Sequence, residues 1–294
     1  MTLLSPIDQL LTLLDLEQIE VGLFRGRHPS TQRQRTFGGQ VLAQSLMAVS
    51  HSVPEDRTVH SMHAYFLRPG RTDAPMIFDV ENLRDGRSFS SRRVLARQDG
   101  NVILGLTASF HIREPGLEHS DAMPDVPAAE DCPKMSEIMS ERSGAPAELW
   151  ESAFGGYDVR WVGSSGPDGA IPAKAHGAHA RIWVRANSGL PDNRHLHAAV
   201  LAYLSDLTLL GVSTVPHSPV FDERRFQAAS IDHAMWFHRP VRADEWWLYD
   251  QISPIAIGGL GLSTSRIFQH GRMVASATQE GLIRPVENNR ADQG

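Results

Sequence analysis

Along the chain, stretches with apolar residues at helical spacing give way to stretches where apolar and polar residues alternate. Near the N-terminus Leu10, Leu11, Leu13, Leu14 and Leu16 are interrupted by Asp8, Asp15 and Glu17, which predicts a short amphipathic helix. From Gly38, GGQVLAQSLMAV sets Val41, Leu42, Ser45, Leu46 and Val49 along one side, the spacing of a helix with one buried face. The runs VHSMHAYFLR, MIFDVENLR, SFSSRRVLAR and NVILGLTASFHI then read as strands. Arg68-Pro69-Gly70, Arg84-Asp85-Gly86 and Asp99-Gly100 supply turns. The same order returns later. HAAVLAYLSDLTLL from His197 is helical in spacing, and SIDHAMWFHR, WWLYDQIS, LGLSTSRIFQ and MVASATQEGLI are strand-like.

This recurrence is a sequence repeat. Shifting the chain by 171 residues lays His60–Arg113 on Ile231–Arg284 without a gap, with eleven of 54 pairs identical. Phe66/Phe237, Arg68/Arg239, Pro69/Pro240, Arg71/Arg242, Asp73/Asp244 and Asp79/Asp250 are among them. Two copies so far apart are halves of a duplicated unit and not a solenoid. One helix followed by an antiparallel meander buries the helix on the sheet, an α+β arrangement. The expected organisation is a first repeat over 1–113, a surface connection over 114–178 and a second repeat over 179–294. The connection is rich in Pro, Gly, Ala and acids, with local helix expected around Cys132–Arg142.

Composition narrows the function. The 294 residues carry 28 Lys plus Arg against 34 Asp plus Glu, a net charge of −6, which disfavours a nucleic-acid partner. The single cysteine, Cys132, excludes an internal disulfide framework, and its place in the connection makes it a poor candidate nucleophile. No uninterrupted apolar run reaches the roughly 18 residues that span a bilayer, so no membrane partner is expected. The first residues lack a basic stretch and a small-residue cleavage site, and the last carry no sorting address, so a cytoplasmic protein is expected. His60/His63 and His176/His179 have weakly metal-like spacing without matched acidic or cysteine partners, so no metal is expected. No phosphate-binding loop, dinucleotide fingerprint or G-x-S-x-G elbow appears, and no cofactor is expected.

The segments LLTLLDLEQIEVGLFRG, TFGGQVLAQSL, HSMHAYFLRPG, SDLTLL, SIDHAMWFHRP and SATQEGLIR, in that order, resemble the acyl-CoA thioesterase II (TesB-like) family. The likeness runs from about Leu10 to Arg284 and is weakest in the connection. It implies a double hotdog fold, hydrolysis of acyl-CoA to CoA and free acid, and an Asp–Thr/Ser–Gln site. The matching positions are Asp206, Ser230 and Gln279. Serine stands where some relatives have threonine, and the hydroxyl is kept.

Taken alone, each of these residues has a plainer reading. Asp206, among Leu204, Leu207 and Leu209, is equally a carboxylate on the solvated edge of a helix. Gln279 alternates onto the face of Met273, Ala275, Ala277 and Gly281, where an amide is either a satisfied core group or one that orients water or a carbonyl. Ser230 opens a strand, where serine is commonly a turn or cap residue.

The expected chemistry is direct attack by water, with Asp206 as base and Ser230 and Gln279 holding the nucleophile. Backbone amides near Gly38-Gly39 are candidate donors to the carbonyl oxygen. The alternatives are a non-catalytic acyl-CoA-binding protein and a hotdog enoyl-CoA hydratase, whose usual G-D-x-N-P-x-H stretch is absent. Unpaired strand edges lead to the expectation of a homodimer or larger assembly. The repeat sets Val59 against Ser230 and Ala108 against Gln279, and a shift of 159 sets Met47 against Asp206. One active site per chain, in the second half, is therefore expected.

Overall fold

The computed structural model describes residues 5–28, 35–144, 146–154, 156–166, 171, 178–217 and 226–286. The chain opens with helix α1 (Pro6–Leu14), begun by Ser5, whose hydroxyl accepts the Asp8 amide, and by Pro6 in the first turn. Strands β1 (Glu17–Glu20) and β2 (Leu23–Gly26) precede helix α2 (Gly38–Ser50). The meander β3 (Thr58–Phe66), β4 (Met76–Asp85), β5 (Phe89–Gln98) and β6 (Asn101–His111) completes the first half. Helices α3 (Met135–Ser143) and α4 (Ala147–Phe154) lead to β7 (Tyr157–Ser164), β8 (Ala178–Ala186) and helix α5 (Arg194–Ser205). Then come β9 (Phe226–Ser230), β10 (Asp232–Phe237), β11 (Trp247–Ile257), β12 (Leu260–Gln269) and β13 (Arg272–Pro285).

All strands join one antiparallel sheet in the order β1-β2-β4-β5-β6-β3-β10-β13-β12-β11-β8-β7, with β9 beside β13. The two halves meet where β3 pairs with β10, so their inner edges satisfy each other's backbone groups. The ladders repeat in register. Asp79 faces Leu95 as Asp250 faces Arg266, and Arg92 faces Ala108 as Ser263 faces Gln279. Residues identical between the halves build the same turn twice. Gln98 accepts the Arg71 amide and Gln269 accepts the Arg242 amide, while Arg71 and Arg242 each clasp the aspartate two residues on. Both β5–β6 and β12–β13 turn through two residues of positive φ, Asp99-Gly100 and His270-Gly271, as tight hairpins require.

The core lies on the face that carries α2 and α5. Leu42, Leu46, Val200, Leu201 and Leu204 are almost wholly excluded from water. Each such side chain contributes about 1.5–3 kcal/mol relative to leaving it exposed. Helix α2 is buried all round from Gly39 to Ser50, not on one face only, because α5 lies along it while strands of the first half flank it. The segment Arg194–Thr214 is long and apolar enough by length and composition to cross a membrane, although no uninterrupted apolar run within it is that long. Here it is α5 and the short helical turn after it, buried in the core.

The stretch 114–178 is more than a surface connection. Strand β7 lies within it and pairs with β8 at the end of the sheet, so the second half extends upstream of residue 179. Each half then runs helix, two strands, helix and a meander, of four strands in the first half and five in the second, where β9 and β10 together stand in for β3, with α4 and β7 corresponding to α1 and β1. Residues 123–132 do run over a surface: Met123, Val126, Ala129 and Cys132 cover Trp183, Leu248 and Phe268 on the outer face, where Trp183 Nε1 donates to the Pro127 carbonyl. Two local expectations also shift. Ser230 ends β9 rather than opening a strand, and a bulge at Val274 turns Met273 away from the face that carries Gln279.

Candidate active site

Three elements of the second half and one of the first converge on a single carboxylate. Asp206 follows the last residue of α5 and caps that helix; it is not on its solvated edge, and its side chain is 4 % exposed. Gln279 points inward from β13 and is fully buried. Ser230 stands where the chain breaks between β9 and β10 and lies opposite Gly281 of β13, one inward position beyond Gln279. Gln279 Nε2 donates to Asp206 Oδ1 at 2.5 Å and to Ser230 Oγ at 2.9 Å, and Ser230 Oγ lies 3.4 Å from Asp206 Oδ1 as a donor. An ionised carboxylate only accepts, which fixes the Gln279 amide with its nitrogen toward Asp206. The three residues singled out by the resemblance thus touch one another.

The first half adds a fourth contact. Helix α2 begins at Gly38 after Phe37, and its first amides have no partner within the helix. The Gly39 amide lies beside the Asp206 carboxyl and helps to hold its titration down. Side chains would block this approach: a Cβ on Gly38 would lie 2.5 Å from Asp206 Oδ2, and one on Gly39 would strike the Tyr203 carbonyl.

Burial pushes the Asp206 carboxyl up to about 6, against the hydrogen bonds from Gln279, Ser230 and the Gly39 amide that pull it down. A carboxylate in that range accepts a proton near neutral pH. His233 has Nδ1 3.9 Å from Asp206 Oδ1. His233 Nε2 lies 2.9 Å from Ser205 Oγ, and the Ser205 hydroxyl is also within reach of the Ala202 carbonyl. Burial drops the His233 ring to about 3, so it stays neutral beside the carboxylate. Its place was not readable from spacing, because Ser205 and His233 are 28 residues apart.

Other sequence candidates fall elsewhere. Cys132 is buried on the outer face and burial pushes its thiol up, away from the thiolate a nucleophile needs. His60 bonds Ser109 and His179 bonds Asp250, while His176 lies outside the described residues. At the positions matching Asp206, Ser230 and Gln279 the first half carries Met47, Val59 and Ala108, all buried.

The family described as "Acyl-CoA thioesterase" matches residues 171–282, and its "Acyl-CoA thioesterase N-terminal domain" matches residues 27–111. The chain is 38% identical to acyl-CoA thioesterase 2 of Haemophilus influenzae over 95% of its own length and 98% of the relative's. The crystal structure of an acyl-CoA thioesterase II from Mycobacterium marinum is similar at a TM-score of 0.81 and 43% identity, covering 95% of this chain and 99% of that one. A hot dog fold protein from Alicyclobacillus acidocaldarius shares the fold at a TM-score of 0.74 and 22% identity, covering 95% and 98%. The architecture is thus a double hotdog. On the identity and coverage of these relatives, the chain belongs to the acyl-CoA thioesterase II family.

Proposed function

We propose that the chain hydrolyses acyl-CoA thioesters to CoA and a carboxylic acid by direct attack of a water activated at Asp206. The supporting observation is a buried carboxylate bonded to both Gln279 and Ser230, in a half whose counterpart carries only apolar residues at these three positions. Family membership makes the chain a thioester hydrolase. The division of labour within the site is our reading.

In this mechanism a water lies against Asp206 and Ser230, with Gln279 steering both. As its oxygen attacks the thioester carbonyl carbon, Asp206 takes its proton. The tetrahedral adduct collapses, the carbon–sulfur bond breaks, and the Asp206 proton goes to the departing sulfur. A thioester carbonyl is electrophilic and a thiolate leaves readily, so a placed water and one base suffice. General-base assistance is worth about 10²–10⁴ in rate, and orientation adds to it.

The test is release of free thiol from a series of acyl-CoA chain lengths by the native chain and by Asp206→Asn. Thiol release that disappears in the variant supports the reading. Binding of acyl-CoA without thiol release by the native chain would replace hydrolysis with sequestration, and native turnover by Asp206→Asn would remove Asp206 as base.

A further inference from the structure

The inner face of the second half carries polar side chains that this reaction scheme does not use. Gln251 of β11 is fully buried, and its Oε1 accepts from Thr208 Oγ1 at 2.8 Å. Its Nε2 has no partner among the described residues, and neither does Ser263 Oγ of β12 nor Gln279 Oε1. The three atoms belong to neighbouring positions on one face. Ser263 lies directly opposite Gln279, and Gln251 lies opposite Ser265, the next inward residue along β12. Thr208 is two residues beyond Asp206, in the turn that leaves α5. Past this floor the sheet is sealed: a Cβ on Gly261 would meet Ser213 at 2.6 Å, and one on Gly281 would strike Leu210.

The first half is an internal control. Because the ladders share one register, Gln251 corresponds to Val80, Ser263 to Arg92 and Gln279 to Ala108, and the helix alignment pairs Thr208 with Val49. The half without the carboxylate therefore also lacks the Thr208–Gln251 pair, both members of which are valine there. At the Ser263 position Arg92 fills the space, its guanidinium bonded to the Ser52 carbonyl, Asn82 and Asp85. A buried hydrogen-bonded pair is useful only when both members are present, since one alone leaves an unpaired group. Thr208, Gln251 and Ser263 are present together in the half that holds Asp206.

We infer that Gln251, oriented by Thr208, and Ser263 are positioning residues for hydrolysis: through ordered water they anchor the Gln279 amide oxygen and so keep Gln279 Nε2 on Asp206 and Ser230. The donor and acceptor types match. Gln251 Nε2 only donates, Gln279 Oε1 only accepts, and a serine hydroxyl does both. Buried water characteristically joins about three such groups, which otherwise bear the cost of burial unpaired. Without the anchor the Gln279 amide is free to turn its oxygen toward Asp206, and the carboxylate loses its shortest hydrogen bond.

The inference rests on the proposed role of Asp206, and the experiment separates the two. Gln251→Leu keeps the side chain's length and removes its amide. Its expected kcat is about tenfold lower, the effect of one lost hydrogen bond, with KM within about twofold. The acid limb of its kcat/KM profile is expected at higher pH, because an Asp206 without the Gln279 donor is harder to ionise. Thr208→Val is expected to act in the same direction and Thr208→Ser to restore the native profile. A folded Gln251→Leu with native kcat and an unmoved limb overturns the inference. Should Gln251→Leu not fold, Ser263→Ala removes a single hydroxyl and carries the same two readouts, and native values in both overturn it. Inactive Asp206→Asn beside unaltered Gln251→Leu and Ser263→Ala refutes this inference alone; active Asp206→Asn refutes the reading beneath it.

Discussion

The start of the first half's helix, at Gly38 and Gly39, abuts the side chain of Asp206, at the end of the second half's helix. The positive end of one helix thereby faces the buried carboxylate of the other half, an arrangement that favours its ionised form. The first half holds none of the three side chains, yet it sets a helix start against the carboxylate.

Replacing Gly38 by alanine tests that contact. The added methyl would lie 2.5 Å from Asp206 Oδ2, and 3.1 Å from the Phe66 ring, so the carboxylate has to move. A displacement near 1 Å is enough to lower turnover by about 100-fold. Steady-state kinetics on the folded variant are expected to show a kcat loss between about 10- and 100-fold. Native kcat would mean that the position of the carboxylate is not critical.

The pH profile follows from the Asp206 carboxyl near 6. As the proposed base, Asp206 must be ionised, so kcat/KM is expected to fall about tenfold per pH unit below that value. His233, held down to about 3, does not titrate in this range. An acid limb well below pH 5 would assign the titration to another group.

The same shift affects stability, with a definite sign. The folded chain keeps the Asp206 proton to higher pH than an unfolded chain, whose carboxyl titrates near 3.8. Unfolding therefore releases a proton between about pH 4 and 6, and this group's contribution falls as pH rises through that window. Urea titrations of the native chain and of Asp206→Asn should diverge across the window by up to about 3 kcal/mol, with the variant the more stable at pH 7. Parallel stability curves would mean that the carboxyl is not shifted.

Arg92→Met tests the counterpart position in the first half. The Arg92 side chain is almost fully buried and pairs with the half-exposed Asp85, so its loss is expected to lower stability by about 3 kcal/mol. Turnover per folded chain should not change, and a tight acyl-CoA analogue should titrate one productive site per chain. Two sites per chain would contradict the apolar Met47, Val59 and Ala108.

Self-association is a further expectation. With β3 paired to β10, the sheet ends at β1 and β7, and β1 exposes Glu17, Gln18 and Glu20. Light scattering is expected to report at least twice the 32.5 kDa chain mass. A particle of one chain would show that these charged ends protect the sheet without a partner.

What was legible in the sequence is what depends on local pattern. The meanders were readable because inward and outward residues alternate and Asp99-Gly100 marks a tight hairpin. The repeat was readable because Arg71, Asp73 and Gln98 build a turn that Arg242, Asp244 and Gln269 build again. Strand β1 was not readable, since all four of its residues are exposed and carry no alternation. Strand β7 was missed for a related reason: most of its residues are half-buried, which blurs the pattern. At the site, Ser230 owed its nomination to the family resemblance, because a serine beside a strand end is ordinarily a turn residue. The Gly39–Asp206 contact joins residues 167 positions apart and leaves no local mark. The pairing of Thr208 with Gln251 leaves none either, except in the contrast with Val49 and Val80.

Joining both halves in one polypeptide has a consequence for what each can become. If the sheet were assembled from two identical chains about a two-fold axis, every substitution would appear twice, and whatever changed one cleft would change its mate. Covalent fusion lifts that constraint. Position 47 is free to be methionine while position 206 is aspartate, and position 92 to be a space-filling arginine while position 263 is a small hydroxyl. Mutations that strengthen the arginine-filled half away from Gly38 and Gly39 need not pass through the half that holds Asp206, which makes that region the natural place to add stability without disturbing turnover.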